Sequence, residues 1–205
     1  MDTRLRQRRQ LLLYLGLGVV GAGAATAFGV ASKNANLTAS STQSIVPTIT
    51  PSSASLASTG TALPDFQGIS QWLNSAPTSI ANLKGNVVLV QFWTFACINC
   101  QRTLPSVVRW HQQYAQAGLK VIGIHTPEFA FERDINNVKR ALTQHQITYP
   151  VPIDNDFKTW KAYSNEYWPH LFLADRRGLM RYDHIGEGAY DTTEQMIRQL
   201  LAEKA

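Results

Sequence analysis

The stretch "VLVQFWTFACINCQRTLP", residues 88–105, contains both cysteines of this 205-residue chain, Cys97 and Cys100. The β-branched and aromatic run at residues 86–93 follows a Lys-Gly-Asn turn signal and predicts a buried strand. Apolar residues then recur at helical spacing over residues 98–118, a segment that ends in a glycine and predicts a helix. The two thiols are therefore predicted to lie where a central strand ends and a helix begins.

The remainder of the C-terminal part alternates between strand and helix patterns. The predicted elements are a strand at 119–125, a helix at 131–147, a short helix at 157–164, strands at 170–175 and 179–185, and a helix at 191–205 capped by Asp191 or Thr192. Alternating strands and helices predict a parallel sheet with right-handed crossovers, and the closing strand pair predicts an antiparallel edge. The predicted fold class is α/β, with a central mixed sheet flanked by helices.

A basic and then apolar segment occupies residues 1–31. Its first ten residues hold four arginines, and about 20 residues without a charge follow, a length that can span a hydrocarbon core. Three interpretations stay open: an uncleaved membrane anchor, a signal peptide cleaved near Ala27 or after Ala31, and a twin-arginine signal that uses Arg8 and Arg9. Each of them predicts that the rest of the chain is exported and faces the periplasm, a lumen or the extracellular side.

The distribution of charge argues against a nucleic-acid partner. The formal net charge is +5, and residues 1–33 contribute +4 of it through five Lys or Arg residues and one Asp. The rest of the chain is nearly neutral, so it offers no basic footprint for a phosphate backbone.

Residues 32–64 differ in composition from the C-terminal part of the chain. They are rich in Ser, Thr, Ala and Pro and contain few large apolar residues. Such a segment cannot bury enough apolar surface to offset the entropy of ordering it, which predicts a flexible linker. Residues 65–205 are then a single domain of ordinary size.

The predicted position of the cysteines favours redox chemistry. The N-terminus of a helix stabilises a thiolate, because its free N–H groups and dipole are positive there. We expect Cys97 to be exposed and to attack a partner disulfide, and the more buried Cys100 to resolve the mixed disulfide. A structural zinc site needs four ligands, and the chain has two thiols and no paired histidines at finger spacing, so no metal is predicted. A structural disulfide across two residues would remove little chain entropy.

Two alternatives to disulfide exchange stay open. Thr94-x-x-Cys97 resembles the peroxidatic motif of peroxiredoxins, although Val90 stands where that motif has a proline. The second alternative is a binding module that captures an apocytochrome or an assembly factor and turns over little. Insulin reduction measured beside peroxide consumption separates the three.

Three motifs, "FWTFACINC…TLP", "VIGIHTPEFAFE" and "YWPHLFLADRRGLMRYDHIGEGAY", together resemble the thioredoxin fold. They are most similar to the exported TlpA/ResA-like branch, and within it to the thioredoxin-like domain of DipZ-type proteins with its Cys-Ile-Asn-Cys motif. The resemblance covers residue 65 to about residue 204. It implies an exported, membrane-tethered thiol–disulfide oxidoreductase that needs no cofactor, because the dithiol itself carries two electrons.

The resemblance also implies roles for individual residues. Cys97 and Cys100 match the catalytic pair, and Trp93 matches the tryptophan that packs beside it. Trp168 and Pro169 match the loop that carries a cis-proline, where backbone groups pair with an incoming peptide as an added strand would. Trp93, Trp168 and Pro169 are therefore the predicted substrate-binding residues.

Proton transfer from the second cysteine needs an acceptor. Thioredoxins have a buried aspartate six residues before the first cysteine, but here the position is Gln91, which does not titrate. TlpA/ResA-like proteins instead carry a glutamate after the next strand, and Glu128 matches it, so Glu128 is the candidate for moving the proton off Cys100. The alternative is a solvated loop glutamate. His125 and His170 either line the same cleft or are packed without a catalytic role.

The partners implied by the resemblance are protein disulfides or dithiols. A reductase on the exported side would also need a membrane electron donor, and the resemblance implies a link to cytochrome c biogenesis. The membrane itself is a partner of residues 1–31. The residues between the two cysteines, Ile98 and Asn99, add no positive charge, which favours the reducing direction.

Overall fold

The computed structural model describes residues 60–204. Within them lie six strands and four α-helices: β1 Gln71–Leu73, β2 Val87–Trp93, α1 Ile98–Tyr114, β3 Leu119–His125, α2 Ile135–Gln144, β4 Val151–Ile153, α3 Lys158–Ala162, β5 His170–Ala174, β6 Met180–Ile185 and α4 Tyr190–Ala202. Short 3₁₀ turns precede β2 and α2. The strands and helices predicted from the sequence all form.

The strands make one sheet in the order β1-β4-β3-β2-β5-β6. β2, β3 and β4 are parallel, whereas β5 is antiparallel to β2, β6 to β5, and β1 to β4. The prediction of a mixed sheet flanked by helices is confirmed, as is the antiparallel edge. β1 and β4 were not predicted, because three residues carry too little alternation and a proline at position 152 argues against a strand.

β2 is buried on both faces of the sheet. Its alternate residues enter two separate cores, because successive side chains of a strand point to opposite sides. α1, α2 and α4 pack into the core that contains Leu89 and Trp93. α3 packs into the core that contains Val90 and Phe92. Packing on both faces therefore holds β2 in place, so the residues that follow it are attached to a rigid strand.

The helix that carries the dithiol begins at this strand's carboxyl end. Cys97 is the N-cap of α1, and its Sγ accepts a hydrogen bond of 3.3 Å from the backbone N–H of Cys100. The helix ends at Tyr114, earlier than predicted, and the following turn closes at Gly118, where φ is +102° and favours glycine. Pro105 lies inside α1.

Two helices also begin at residues other than those predicted. The N-cap of α4 is Ala189, in the left-handed conformation, and not Asp191 or Thr192, because the helix already begins at Tyr190. The helix predicted from residue 131 begins at Ile135, because the side chain of Asp134 accepts the N–H of Asn136 and starts a new helix there.

The predicted anchor or signal segment, residues 1–31, lies outside the described residues, as does the linker up to residue 59. Among residues 60–204, no helix is long and apolar enough to cross a membrane. Near the predicted end of the linker, Leu63 is buried and its N–H donates to the carbonyl oxygen of Gly178. The proposed division of the chain at residues 31 and 64 stays a prediction.

Candidate active site

The two thiols differ in exposure. Both are free; Cys97 is partly exposed, whereas Cys100 is fully buried in the core beside Trp93 and Leu104. This asymmetry is the one expected from the first turn of a helix, because the N-cap lies at the surface and the residue three positions on faces inward. Only Cys97 is therefore accessible to a partner.

The acidity of the two thiols differs as well. A hydrogen bond from the Cys100 thiol lowers the pKa of Cys97 to about 7, and the N–H groups of Asn99 and Cys100 act in the same direction. Partial burial and the charge of Glu128 oppose this shift. Burial raises the pKa of Cys100, and its hydrogen bond to Cys97 adds to the effect. Near neutral pH, Cys97 is partly thiolate and Cys100 is a thiol.

We expect iodoacetamide to alkylate Cys97 alone in the reduced protein. Because the thiolate reacts and the pKa is about 7, the rate should rise with pH through 7 and level off above about 8. Mass mapping after brief treatment at several pH values measures it. Faster labelling of Cys100 would reverse the roles of the two cysteines.

The loop before β5 lies against Cys97. The Trp168–Pro169 peptide bond is cis, as the resemblance implied. The carbonyl oxygen of Trp168 accepts a weak hydrogen bond from Cys97 Sγ at 3.8 Å. The indole of Trp168 packs on Trp160, with ring centroids 4.1 Å apart, and its Nε1–H donates to the carbonyl oxygen of Thr126. The loop therefore presents backbone beside the reactive sulfur.

Trp93 lies in the same core as Cys100. It is fully buried, and its Nε1–H donates to the carbonyl oxygen of Gly123 at 3.2 Å. A Cβ at position 123 would come within 2.6 Å of the ring of Tyr149, so the tight packing beneath the indole requires a glycine there. Trp93 exposes no surface and acts here through packing, and its predicted role in substrate binding stays a prediction.

A second glutamate, Glu132, was not predicted as a site residue, and its carboxylate accepts four hydrogen bonds. Glu132 is fully buried. Its Oε1 accepts the hydroxyl of Thr94 and the N–H of Ala96. Its Oε2 accepts the N–H groups of Glu128 and Phe129, at 2.7 and 2.8 Å. One carboxylate thus joins the loop that leads into Cys97 to the loop that follows β3.

The two glutamates act on different cysteines. Glu128 lies in the predicted loop, but its side chain is exposed and its charge raises the pKa of Cys97. The carboxylate whose charge raises the pKa of Cys100 is that of Glu132. Gln91 is buried, and neither of its amide atoms has a hydrogen-bond partner among the described residues. The role of Glu128 in proton transfer stays a prediction, and Glu132 joins it as a second candidate.

A sequence signal for Glu132 does exist. A glutamate three residues after the start of a turn reaches back to that turn's first N–H, which is the acidic half of a capping box. Glu132 bonds the N–H of Phe129 in this way. This capping pattern was not recognised in the sequence because Phe129 is not one of the usual N-cap residues.

His125 and His170, the two histidines considered for the cleft, are both packed in the interior. Burial lowers the pKa of His125 to about 4, so the ring is neutral at pH 7, and it stacks against Phe95. Because the Thr94 hydroxyl gives its hydrogen to Glu132, Nε2 of His125 donates to that oxygen, at 3.3 Å. His170 is buried between Asn165 and Asp183 and contacts both.

No group of three or more His, Cys, Asp or Glu side chains within residues 60–204 is placed to hold a metal ion.

A thioredoxin-like fold with an exposed and a buried cysteine at the N-terminus of a helix defines the class of thiol–disulfide oxidoreductases. The chain belongs to the AhpC/TSA family, whose model matches residues 59–183. A similar protein is DipZ of Mycobacterium bovis, 48% identical over 151 residues that make up 72% of this chain and 22% of DipZ. The chain thus spans about a fifth of that relative. The family resemblance predicted from the sequence is confirmed.

Shorter relatives match over nearly their whole length. The thiol-disulfide oxidoreductase YkuV of Bacillus subtilis is 28% identical over 141 residues, which are 69% of this chain and 95% of YkuV. A solved structure described as a thioredoxin-like protein in the oxidized form superimposes with a TM-score of 0.65 at 28% identity, covering 71% of this chain and 98% of its own. The matched part of the chain thus corresponds to nearly the whole of each of these smaller proteins.

Proposed function

We propose that the protein is an exported, membrane-tethered thiol–disulfide oxidoreductase that reduces disulfides in partner proteins through the dithiol of its Cys-Ile-Asn-Cys motif. The observation that carries the proposal is the pairing of an accessible Cys97, whose pKa is about 7, with a buried Cys100 in hydrogen-bond contact. A nucleophile that is half ionised at neutral pH and a resolving thiol beside it are what disulfide exchange requires.

The reaction proceeds in two exchanges. The Cys97 thiolate attacks one sulfur of the partner disulfide, forms a mixed disulfide and releases the other partner sulfur as a thiolate. Cys100 loses its proton, attacks Cys97 Sγ and releases the second partner sulfur, leaving a Cys97–Cys100 disulfide. The partner gains two electrons and the protein loses two. Glu128 and Glu132 are the candidate acceptors of the Cys100 proton, which then passes to solvent or to a released thiolate.

The thiolate is only moderately stabilised, which favours the reducing direction. In thiol–disulfide proteins of this fold, a first cysteine with a pKa near 7 accompanies a potential of about −270 mV, whereas one near 3.5 accompanies about −120 mV. The pKa of Cys97 is about 7. We expect the Cys97–Cys100 couple to lie below about −200 mV in a glutathione redox titration. A value near −120 mV would indicate an oxidant.

Insulin reduction and peroxide consumption, measured side by side, test the activity. Fast precipitation of insulin B chain without consumption of peroxide supports disulfide exchange. A peroxidase would use the hydroxyl of Thr94 to bind peroxide, but that hydroxyl is buried and gives its hydrogen to Glu132. Peroxide consumption at a rate above that of insulin reduction would contradict the proposal, and the absence of both would favour the binding module.

The proposed location rests on residues 1–31, with their arginines and uncharged apolar run. We expect the full-length protein to remain in the membrane fraction after a carbonate wash, and the domain to be digested by protease added on the exported side. A shortened soluble form would indicate cleavage near Ala27 or Ala31. Accumulation in the cytosol would contradict export. An exported reductase also needs a membrane electron donor, and cytochrome c biogenesis is the process in which we propose that it acts.

A further inference from the structure

Thr94, the residue that follows β2, has a fully buried side chain. Its hydroxyl takes part in two hydrogen bonds: it donates to Oε1 of Glu132 and accepts from Nε2 of His125, at 3.3 Å. Because burial lowers the pKa of His125 to about 4, the ring is neutral at pH 7 and its charge does not change there. The order of donation, from His125 to Thr94 to Glu132, therefore gives the hydroxyl a single orientation.

The carboxylate that accepts this hydroxyl is itself held in place. Glu132 accepts three backbone N–H groups besides the hydroxyl, those of Ala96, Glu128 and Phe129. These donors belong to two loops, one between β2 and α1 and the other after β3, so the carboxylate cannot turn without losing hydrogen bonds to both. The side chain of Thr94 is thus bonded to an acceptor in a fixed position.

The backbone of Thr94 is held as well, and it contacts the buried thiol. The carbonyl oxygen of Trp93, in the same peptide unit as the N–H of Thr94, accepts the N–H of Thr126 at 3.1 Å. In a trans peptide the N–H points away from the carbonyl oxygen, so the N–H of Thr94 points away from Thr126. The Cys100 sulfur accepts this N–H: burial raises the pKa of Cys100, and the hydrogen bond from the backbone of Thr94 opposes that rise.

The second exchange makes negative charge develop on the Cys100 sulfur. That sulfur is fully buried, so water does not solvate the charge, and the nearby charge of Glu132 disfavours it further. A backbone N–H that points at the sulfur stabilises the charge as it develops. Such a donor is effective when it is already oriented, because a donor that is free to turn must be reoriented during the reaction.

We propose that Thr94 is a positioning residue for the resolving step: its hydroxyl, fixed between a histidine and a carboxylate, holds the backbone N–H that stabilises the developing thiolate of Cys100. The inference rests on the proposed function and adds a residue to its second exchange. In that exchange Cys100 loses its proton and its sulfur bonds to Cys97 Sγ, while the electron pair of the broken disulfide leaves with the partner's sulfur. Thr94 accepts no proton and forms no covalent bond.

A chromogenic disulfide, dithiobis(nitrobenzoate), measures the two exchanges separately. Mixed with the reduced protein at one equivalent, it releases one thionitrobenzoate when Cys97 attacks and another when Cys100 resolves the mixed disulfide, so the absorbance rises in two phases. Thr94→Val keeps the shape and removes the hydroxyl. It should slow the second phase about tenfold and move its pH dependence to higher pH, with the first phase unchanged. Thr94→Ser keeps the hydroxyl and should retain the wild-type rate.

Thr193→Val is the matched control. It makes the same change at another fully buried threonine, on α4, whose hydroxyl contacts that of Tyr182, and both phases should keep their wild-type rates. Thermal melting curves establish that each variant is folded. Thr94→Ala, which also lacks the hydroxyl and leaves room for a water beside Glu132, replaces the valine variant if that variant does not fold.

A second phase that keeps its wild-type rate in Thr94→Val would overturn the inference while leaving disulfide exchange intact. A Thr94→Ser variant as slow as Thr94→Val would overturn it too, because the hydroxyl would then not be the group that matters. Equal slowing of both phases would indicate a general structural role and likewise overturn it. A wild-type protein that releases no thionitrobenzoate, or releases it in the first phase alone, would instead contradict the proposed function.

Discussion

Cys97→Ser is expected to reduce insulin-disulfide reduction to the uncatalysed rate, because serine supplies no thiolate and Cys100 is buried. Cys100→Ser should also stop turnover, but for a different reason. Its Cys97 still attacks, and nothing resolves the mixed disulfide, so covalent complexes with partner proteins should accumulate on Cys97. Non-reducing electrophoresis followed by mass spectrometry measures the complexes.

The matched pair of variants gives this prediction its control. Each replaces one sulfur by oxygen, so a difference in trapping reflects which cysteine attacks first and not a difference in folding. Complexes that form on Cys100 in the Cys97→Ser variant, at the level seen with Cys100→Ser, would contradict the assignment. The loss of the thiol hydrogen bond in Cys100→Ser also removes the largest cause of the lowered pKa of Cys97, although a serine hydroxyl can replace part of it.

Glu132→Ala is expected to lower the stability of the domain by about 3 kcal/mol, because it leaves buried donors of two loops without an acceptor. For a domain of this size, the melting temperature should fall by about 10 °C. Glu132→Gln should also destabilise, since its NH₂ group must face one of the two pairs of donors. Thermal unfolding followed by circular dichroism measures both.

Glu128→Gln is the matched control, because the same change is made four residues away on an exposed side chain. Its stability should change by less than about 0.5 kcal/mol. Comparing the rate of mixed-disulfide resolution in Glu128→Gln and Glu132→Gln between pH 5 and 9 then separates the two candidate proton acceptors. Equal melting temperatures for Glu132→Ala and Glu128→Gln would show that the buried carboxylate does not hold the loops.

The parts of the fold that the sequence predicted are those with strong local patterns. β2 and β3 are seven-residue apolar strands, and a Cys-x-x-Cys pair between a strand and a helix can be placed without any knowledge of the sheet. β1 and β4 have three residues each, and their pairing depends on contacts distant in sequence, such as Leu73 with Val151. No local pattern encodes such contacts.

In the candidate site too, local sequence patterns predict some features, whereas contacts distant in sequence decide the others. The positions and exposures of Cys97 and Cys100 follow from helix geometry alone. The choice between Glu128 and Glu132 does not, because both follow β3 and only the folded loop shows which carboxylate turns inward. Trp93 was placed correctly beside the dithiol, but its role depends on burial, which the packing of Gly123 and Tyr149 decides.

The position of β2 has a consequence for how the domain opens. β2 hydrogen-bonds to a strand on each side over most of its length, whereas β1 at one edge of the sheet pairs over only three residues. Local unfolding starts where backbone hydrogen bonds are few, so the β1 edge should exchange its amide hydrogens long before β2 does. The dithiol follows directly on β2, the strand that we expect to open late. If β1 detaches from the sheet under stress, the two sulfurs can therefore keep their positions. The domain can then continue to exchange electrons until it unfolds as a whole.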